Sequence, residues 1–475
     1  MRTYKILDLF AGGGGFSTGF LNASHSHAKF EVTKAVEIDD DACNTLISHL
    51  GEDKVLKGDI TCPLIKKEIV AECKEVDVII GGPPCQTFSL IGPARSGKRE
   101  VQDSLKNDSR NTLYRHFFDL VSEIKPRFVV FENVEGLLSK RFEDGLTEKE
   151  KMAIEVISEQ LEDLGYFTRT IDGQGSGFKT LNSLDYGVSQ KRRRVIIIAN
   201  RHGIYNPIPL KKDLTKEVPT LLSTIGELPV LLPQINTNGM EKLKKIDVVL
   251  KNLDKCILSF LNNINELDRI YKNRPEINNE QFRLLKNYLN DSYLVTKNRK
   301  HNGLEFLKGF CEDYNKLAKQ FNSSSEIPCN MTLHQSRKHN FRDVVIFSMM
   351  KQGSTSSGFM NQNSQDFDLL LDQLYPYDKN KHTDTYVKHS WDKPSNTILA
   401  HMQKDGLKFI HPNQPRTFTP YEAALIQSFP KNYDFCGGAN SQYRQIGNAV
   451  PPLMSEAIAQ GILMTLLNYD LEISK

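Results

Sequence analysis

Tyr4-Lys-Ile-Leu-Asp-Leu-Phe10, followed at once by Ala11-Gly-Gly-Gly-Gly15 and then by Phe16-Ser-Thr-Gly-Phe-Leu21, is the stretch on which the fold turns. The first seven residues read as a strand, the glycines as a tight turn and the last six as the start of a helix. Strand, glycine turn and helix form the opening unit of a nucleotide-binding half-sheet, where backbone approaches a ligand at a helix N-terminus. The G-x-G-x-x-G spacing is met only loosely, through Gly12, Gly14 and Gly19, so taken alone the run could serve an ordinary turn. The next strand decides the matter. Phe30-Glu-Val-Thr-Lys-Ala-Val36 ends at Glu37, an acid about twenty positions on, where a carboxylate can bind ribose hydroxyls. A solvated surface glutamate is the alternative. Asp59, in Gly58-Asp-Ile60, closes a further short strand and offers another acceptor toward the same crevice.

Further along, Val76-Asp-Val-Ile-Ile80 reads as a buried parallel strand, ended by Gly81-Gly-Pro-Pro-Cys-Gln-Thr-Phe-Ser89. Cys85 therefore belongs at the carboxyl end of a strand, the edge where open α/β sheets hold their ligands. A lone cysteine is ordinarily a small buried hydrophobe, but two prolines and polar flanks argue for an exposed thiol. Arg127-Phe-Val-Val-Phe131 is another apolar strand and brings Glu132 to the same edge, with Asn133-Val134 turning the chain away. Capping of that turn is the alternative role for Glu132. Gln190-Lys-Arg-Arg-Arg194 precedes the apolar strand Val195-Ile-Ile-Ile-Ala199; a basic run of this kind is otherwise a solvated edge.

Phe10-Ala-Gly, Glu37, Gly58-Asp-Ile60, Pro83-Pro-Cys85, Glu132-Asn-Val134, Gln190-Lys-Arg-Arg-Arg194 and Gln445-Ile-Gly-Asn-Ala-Val-Pro451 stand in the order that marks the DNA (cytosine-5)-methyltransferases. The chain resembles a prokaryotic member of the restriction-modification type over roughly residues 1–200 and 390–462. The resemblance implies a Rossmann-like, doubly wound α/β methyltransferase sheet with a smaller inserted target-recognition domain. It also implies S-adenosyl-L-methionine as methyl donor and carbon 5 of a flipped cytosine, in a short specific duplex DNA sequence, as acceptor. Cytosine carbon 5 is a poor nucleophile until something adds to carbon 6, and a thiolate suits that step. Cys85 is the expected nucleophile, Glu132 the acid at ring nitrogen 3 with its pKa raised by desolvation, and Arg192 and Arg194 the groups around the target base. In the same reading Phe10 faces the adenine, Glu37 the ribose and Asp59 the exocyclic amine. Gly12 and Gly14 admit the methionine part, with Ala11, Ile38, Ile60, Pro83 and Asn448 completing the pocket. A sulfonium methyl needs no Lewis acid, so no metal is expected. An RNA cytosine methyltransferase of the tRNA-modifying branch is the alternative on this scaffold.

A base inside a duplex cannot reach a thiol in a cleft, so it must be flipped out at a cost of about a few kcal/mol. Residues 88–110, polar, basic and glycine-containing, are the candidate lid, with an ordinary surface loop as the alternative. Gln86, Ser89, Arg95, Lys98 and Arg99 are the expected DNA contacts there. In the recognition region, Arg337, Lys338 and Arg342 are candidates for phosphates, and residues 351–359 for base edges. Thr397 resembles a family threonine near the target-base phosphate, and the cluster Lys297-Asn-Arg-Lys-His301 is either a phosphate contact or a solvated face. The expected domains are 1–204 (cofactor-binding and catalytic), 205–390 (target recognition, with helical stretches over 241–289 and 304–321) and 391–475 (return to the catalytic domain). Residues 416–430 are expected to hold a helix capped by Thr419, with Pro420 at its first position and Glu422 three residues after the cap. Asn448 is expected on a turn, before a terminal helix over about 453–467.

With 475 residues and 39% hydrophobic content the chain can build more than one core. A net charge of +3 excludes a generally basic coat for nucleic acid, so a DNA face has to be made by local clustering. The eight cysteines show no paired metal spacing, and no leader segment or apolar run of about 18 residues is evident. A cytoplasmic, nucleoid-associated monomer is expected, with double-stranded DNA as partner, a cognate restriction endonuclease as functional counterpart and no membrane association.

Overall fold

The computed structural model describes residues 1–84, 113–139, 141–143, 150–172, 177–214, 218–274, 277–324, 331–361, 365–378, 382 and 384–474. These form two compact units: 1–219 with 396–398 and 427–475, and 220–395 with 399–426. The second unit thus begins near residue 220 rather than 205. It also keeps residues 399–426, which the sequence suggested had already returned to the first.

In the first unit eight strands make one sheet: β1 (Arg2–Leu9), β2 (Ser24–His25), β3 (Ala28–Glu37), β4 (Val55–Lys57), β5 (Val78–Gly81), β6 (Phe128–Val134), β7 (Phe178–Asn182) and β8 (Arg193–Asn200). The path runs β2-β3-β1-β5-β6-β8-β7, with β4 on the end of β3. The β1, β3, β4, β5 and β6 pairings are parallel, whereas β8 runs antiparallel to both β6 and β7. From β1 the chain steps outward through β3 to β4, then returns and steps the other way through β5 to β6. The order reverses between β1 and β5, and a crevice opens at such a point beyond the strands' carboxyl ends.

Side chains alternate between the two faces along β1, β5, β6 and β8. Ile6, Val78, Ile80, Phe128, Val130, Ile196 and Ile198 point to one core, and Leu7, Leu9, Ile79, Val129, Phe131, Val195 and Ile197 to the other. The first core is closed by α1 (Gly15–Asn22) and by residues from Val450 onward. The second is covered by α3 (Pro63–Glu72), α4 (Leu113–Ile124) and α5 (Ala153–Asp163), while α2 (Asp40–Leu50) links β3 to β4. Continuous apolar strands are what burial on both faces demands.

The second unit has its own core, built on α6 (Leu253–Tyr271), α7 (Asn279–Lys297), α8 (Leu304–Ser324) and α9 (Phe341–Met349). Phe260 stacks on Phe341 at 5.5 Å, so the helical stretches belong to the core rather than hanging from it. Helix α8 also satisfies extended chain. Asn315 exchanges hydrogen bonds with both main-chain groups of Ile235, and Asn322 does the same with Leu232. The short helix α10 (Pro420–Ile426) lies in this unit with its expected capping box, Glu422 N–H to Thr419 Oγ1 at 3.1 Å and Thr419 N–H to Glu422 Oε2 at 2.8 Å.

Residues 427–475 return to the first unit as helices α11 (Ala439–Asn448) and α12 (Pro452–Ile473), adding no strand to the main sheet among the described residues. Asn448 is the last residue of a helix rather than part of a free turn. The stretch Ala439–Ile473 contains a window long and apolar enough to cross a membrane, contrary to the expectation from sequence. It is largely buried, because Met454, Ile458, Ile462 and Leu466 form the layer that covers the first face of the sheet.

Candidate active site

The crevice is built by loops that leave consecutive strands at one edge of the first unit. After β1 the chain turns sharply: Phe10 holds φ 60 and Gly12 φ 54. A left-handed phenylalanine costs on the order of 1 kcal/mol or more, and such strain collects at functional sites. Glu37, at the end of β3, sets this loop. Its Oε2 accepts the Gly12 N–H at 2.8 Å, and its Oε1 accepts the N–H groups of Ile38 and Asp39 at 2.8 and 3.0 Å. A side chain at Gly12 would meet open space, so the cradle beside Glu37 is free to admit a ligand. Ile38 is 61% exposed, an apolar side chain left beside that space. Asp59 is exposed, accepting the Thr61 N–H at 2.8 Å, while Ile60 is buried.

On the other side of the reversal, β5 ends at Gly81 and Pro83 is buried. Glu132 does not emerge beyond its strand. It lies within β6, opposite Ile196 of β8, and is buried. Its Oε1 takes Arg194 Nε at 2.8 Å. Burial raises the Glu132 pKa, and the charges of Arg194 and Arg192 restrain the rise without cancelling it. Glu132 comes close enough to Gly82 that a methyl group there would sit 2.6 Å from its Oε2. Asn133 donates to the Pro83 carbonyl at 3.2 Å, locking the Pro83 loop to the end of β6.

Arg192 is placed differently from its expected position at a target base. It is buried, and its guanidinium donates to the carbonyls of Ile398 and Gly447 at 3.0 and 2.9 Å. Burial first, then Arg194, pushes its pKa well below the usual arginine range. Arg192 is therefore a tie between segments. Gln190 and Gln427 extend it: their side-chain amides bond to each other, Gln190 Oε1 accepts the Ile398 N–H at 2.9 Å, and Gln427 Nε2 donates to Ile446 and Ala449 carbonyls at 2.9 and 2.8 Å. This network holds the backbone around exposed Asn448 and the Thr397 segment in the unit, and Thr397 Oγ1 donates to the Lys191 carbonyl at 2.6 Å.

Cys85 and the expected DNA contacts Gln86, Ser89, Arg95, Lys98 and Arg99 lie outside the described residues. In the second unit Lys338 is exposed. Arg337 donates to the Gln403 carbonyl at 2.6 Å. Arg342 is buried and does not suit a phosphate: it is paired with Asp343 at 2.7 Å and donates to the Lys244 carbonyl. The pattern misled because its basic run continues into the first turn of α9, which faces the core.

Sequence reading passed over Asp8, Gln190 and Gln427. Gln190 stood inside a quoted motif, and Asp8 was a charge in an apolar strand, the kind of mismatch that signals a site. The tie through Gln427 is tertiary and left no local trace.

A doubly wound sheet with a glycine loop, an acid after the second long strand, and a buried glutamate–arginine pair beside the start of a Pro-Pro-Cys sequence defines a methyltransferase-type site. The family model for C-5 cytosine-specific DNA methylases matches residues 4–464, and the chain belongs to that family. It is a DNA (cytosine-5)-methyltransferase related to type II restriction-modification enzymes. The type II methyltransferase M.DdeI of Desulfomicrobium norvegicum is 30% identical over 98% of this chain and 90% of its own length. M.AgeI of Thalassovita gelatinovora is 28% identical over 97% and 100%. In fold, the chain is similar to the Entamoeba histolytica methyltransferase EhMeth, with TM-score 0.50 and 13% identity over 98% of this chain and 99% of that one.

Proposed function

We propose that the protein transfers a methyl group from S-adenosyl-L-methionine to carbon 5 of a cytosine flipped out of duplex DNA. The observation that carries this reading is the buried Glu132–Arg194 pair beside Gly82 and Pro83, two residues before Cys85. The cradle of Gly12, Glu37 and Ile38, with Asp59 nearby along the edge, fits an adenosine-bearing cofactor: carboxylates for hydroxyl or amine groups, an apolar face and open space at a glycine. When bound, that cofactor supplies an electrophilic methyl on a cationic sulfur.

The chain's own groups do the rest. The Cys85 thiolate adds to carbon 6 of cytosine while Glu132, protonated because burial raises its pKa, donates a proton to nitrogen 3. The electron pair of the 5,6 double bond is thereby localised on carbon 5, the nucleophile for the methyl group that the bound cofactor would supply from its sulfur. Loss of the carbon 5 proton to a base, with return of the nitrogen 3 proton to Glu132, expels the thiolate and restores the ring. Arg194 holds the Glu132 carboxyl in place throughout. The protein acts in the cytoplasm on one short sequence, alongside a cognate endonuclease.

The test is bisulfite sequencing of plasmid DNA from cells expressing wild type or Cys85→Ser. Methylcytosine at one short sequence with wild type and none with the variant is expected. Methylation by both would overturn the nucleophile, and methylation of tRNA but not DNA would move the substrate to RNA.

A further inference from the structure

Arg192 is fixed at both of its ends. Its main chain exchanges hydrogen bonds with Ser183, whose N–H donates to the Arg192 carbonyl at 2.8 Å and whose Oγ accepts the Arg192 N–H at 3.2 Å. Its guanidinium, 1% exposed, spans two carbonyls, that of Ile398 at 3.0 Å and that of Gly447 at 2.9 Å. Its Nε has no hydrogen-bond partner among the described residues. Gly447 lies in the last turn of α11, where carbonyls lack partners within the helix and basic side chains commonly cap them. Arg192 does more than cap. Gln427 already serves the neighbouring carbonyls of Ile446 and Ala449, and a cap has no use for the second carbonyl, at Ile398. The unmatched Nε is a cost that capping alone does not explain. What the fork holds lies against the glycine loop. A methyl group at Gly13 would stand 3.1 Å from Gln445 Cβ, and one at Gly15 would meet the Val450 carbonyl and Ala449 Cβ, the latter at 2.9 Å. Residues 445–450 are thus a wall packed on that loop, gripped by Arg192 at Gly447. Two residues beyond Arg192, Arg194 holds Glu132 at 2.8 Å. One arginine therefore joins the wall of the cradle to the segment that carries the clamp on Glu132.

We propose that Arg192 is a positioning residue that fixes the wall of the glycine loop relative to the Glu132–Arg194 pair, and so keeps the methyl source aligned with the activated cytosine. The inference rests on the proposed methyl transfer and deepens it. Alignment decides the outcome because carbon 5, once Cys85 has added to carbon 6 and Glu132 has protonated nitrogen 3, is a nucleophile that solvent can also protonate. With the methyl group out of line, carbon 5 takes a solvent proton instead. A base then removes the original carbon 5 hydrogen, nitrogen 3 returns its proton to Glu132 and the thiolate leaves. The proton gained balances the hydrogen lost, and the product is unmethylated cytosine with its carbon 5 hydrogen exchanged. A displacement of about 1 Å is enough to slow transfer on the order of 10²-fold. Only a planar fork spans both carbonyls at once, whereas a lysine ammonium is a point charge.

The experiment uses the full chain and duplex DNA tritiated at carbon 5 of its cytosines, and counts tritium released to water beside methyl groups incorporated from S-adenosylmethionine. Wild type is expected to give equal counts, because each methylation displaces the carbon 5 hydrogen. Arg192→Met is expected to lower methyl incorporation about 10²-fold and to release several-fold more tritium than it adds methyl. Arg192→Lys keeps the charge without the span and is expected to show the same kind of excess, which decides the matter should Arg192→Met fail to fold. Only active molecules enter the ratio, so a purely structural role of Arg192 would lower both counts together and leave the ratio at the wild-type value. Without donor, the variants are expected to release tritium at the wild-type rate per folded molecule, since addition by Cys85 and protonation by Glu132 are untouched. A wild-type ratio in the variants, or donor-free release lost from them, overturns the positioning role of Arg192. Wild type that neither methylates nor releases tritium overturns instead the methyl-transfer reading beneath it.

Discussion

Glu132 carries opposing demands in one side chain: it must be acidic enough to hold Arg194 and basic enough to keep a proton. Burial, the larger effect, raises its pKa, while Arg194 and then Arg192 pull it down. For Glu132→Gln, which keeps the shape and removes the acid, kcat is expected to fall by about 10²- to 10⁴-fold with DNA affinity nearly unchanged, measured by single-turnover methylation and equilibrium binding. Because the protonated form is the active one, the rate should decline as pH rises through the raised pKa. Arg194→Ala removes a charge that stabilises the carboxylate, so in that variant the alkaline decline should move to higher pH, whatever the loss in absolute rate. An unmoved decline would show that another group titrates. The same shift fixes the sign of the stability effect. A carboxyl whose folded pKa lies above its unfolded value lowers stability as pH rises between the two. Of this site, Glu37 stands at the end of its strand as the sequence indicated, whereas Glu132 lies within β6, opposite Ile196, and not beyond the strand's end. The commitment of Arg192 to two main-chain carbonyls was not legible, since neither Ile398 nor Gly447 is near it in sequence.

At the scale of elements, what could be read was periodicity and capping. The alternation in β1, β5, β6 and β8 and the Thr419–Glu422 box are local chemistry, and they occur where the residues indicate. Strand direction and unit membership are not local, so the antiparallel β8 and the retention of residues 399–426 by the second unit were invisible. The elements are joined by buried polar pairs whose loss should be costly. Gln427 serves three partners in the first unit, and Gln427→Leu leaves several unsatisfied. A loss of about 1–3 kcal/mol is expected, with a non-additive double-mutant cycle against Gln190→Leu, both read from urea unfolding. In the second unit Arg416 grips Glu422 at 2.7 and 2.8 Å, both essentially inaccessible to solvent. Burial alone would raise Glu422, but Arg416, with His411 and His334, brings it down to about 2. Its contribution to stability is present above the unfolded carboxyl value and is lost as pH falls through the folded one. Glu422→Gln strands Arg416 in the core and should cost about 3–5 kcal/mol at neutral pH, a difference that shrinks in acid. A pH-independent difference in urea midpoint would rule out this account.

For the whole molecule the constraint is charge. Sixty-one basic against 58 acidic side chains leave +3, too little for a polyanion to be gathered by net charge alone. DNA affinity therefore has to come from particular exposed cations, and burial sorts the candidates that sequence could only count. Lys338 is exposed, whereas Arg342, four residues on, is neutralised by Asp343 inside the second unit's core. Each phosphate contact releases condensed counterions, so removing one flattens the dependence of log K on log salt by about 1. Lys338→Ala is expected to lower that slope by about 1 and weaken binding to all sequences alike, while urea stability stays within about 0.5 kcal/mol of wild type. Arg342→Gln should do the reverse. It leaves Asp343 without its cation and the Lys244 carbonyl without its donor, so the urea midpoint falls, and the salt slope of the fraction that remains folded is unchanged. Titrating a fluorescent duplex at several salt concentrations with both variants separates the two effects. A lowered slope in Arg342→Gln would mean that the arginine leaves its core position to meet DNA, and the assignment of phosphate contact by burial would fall with it.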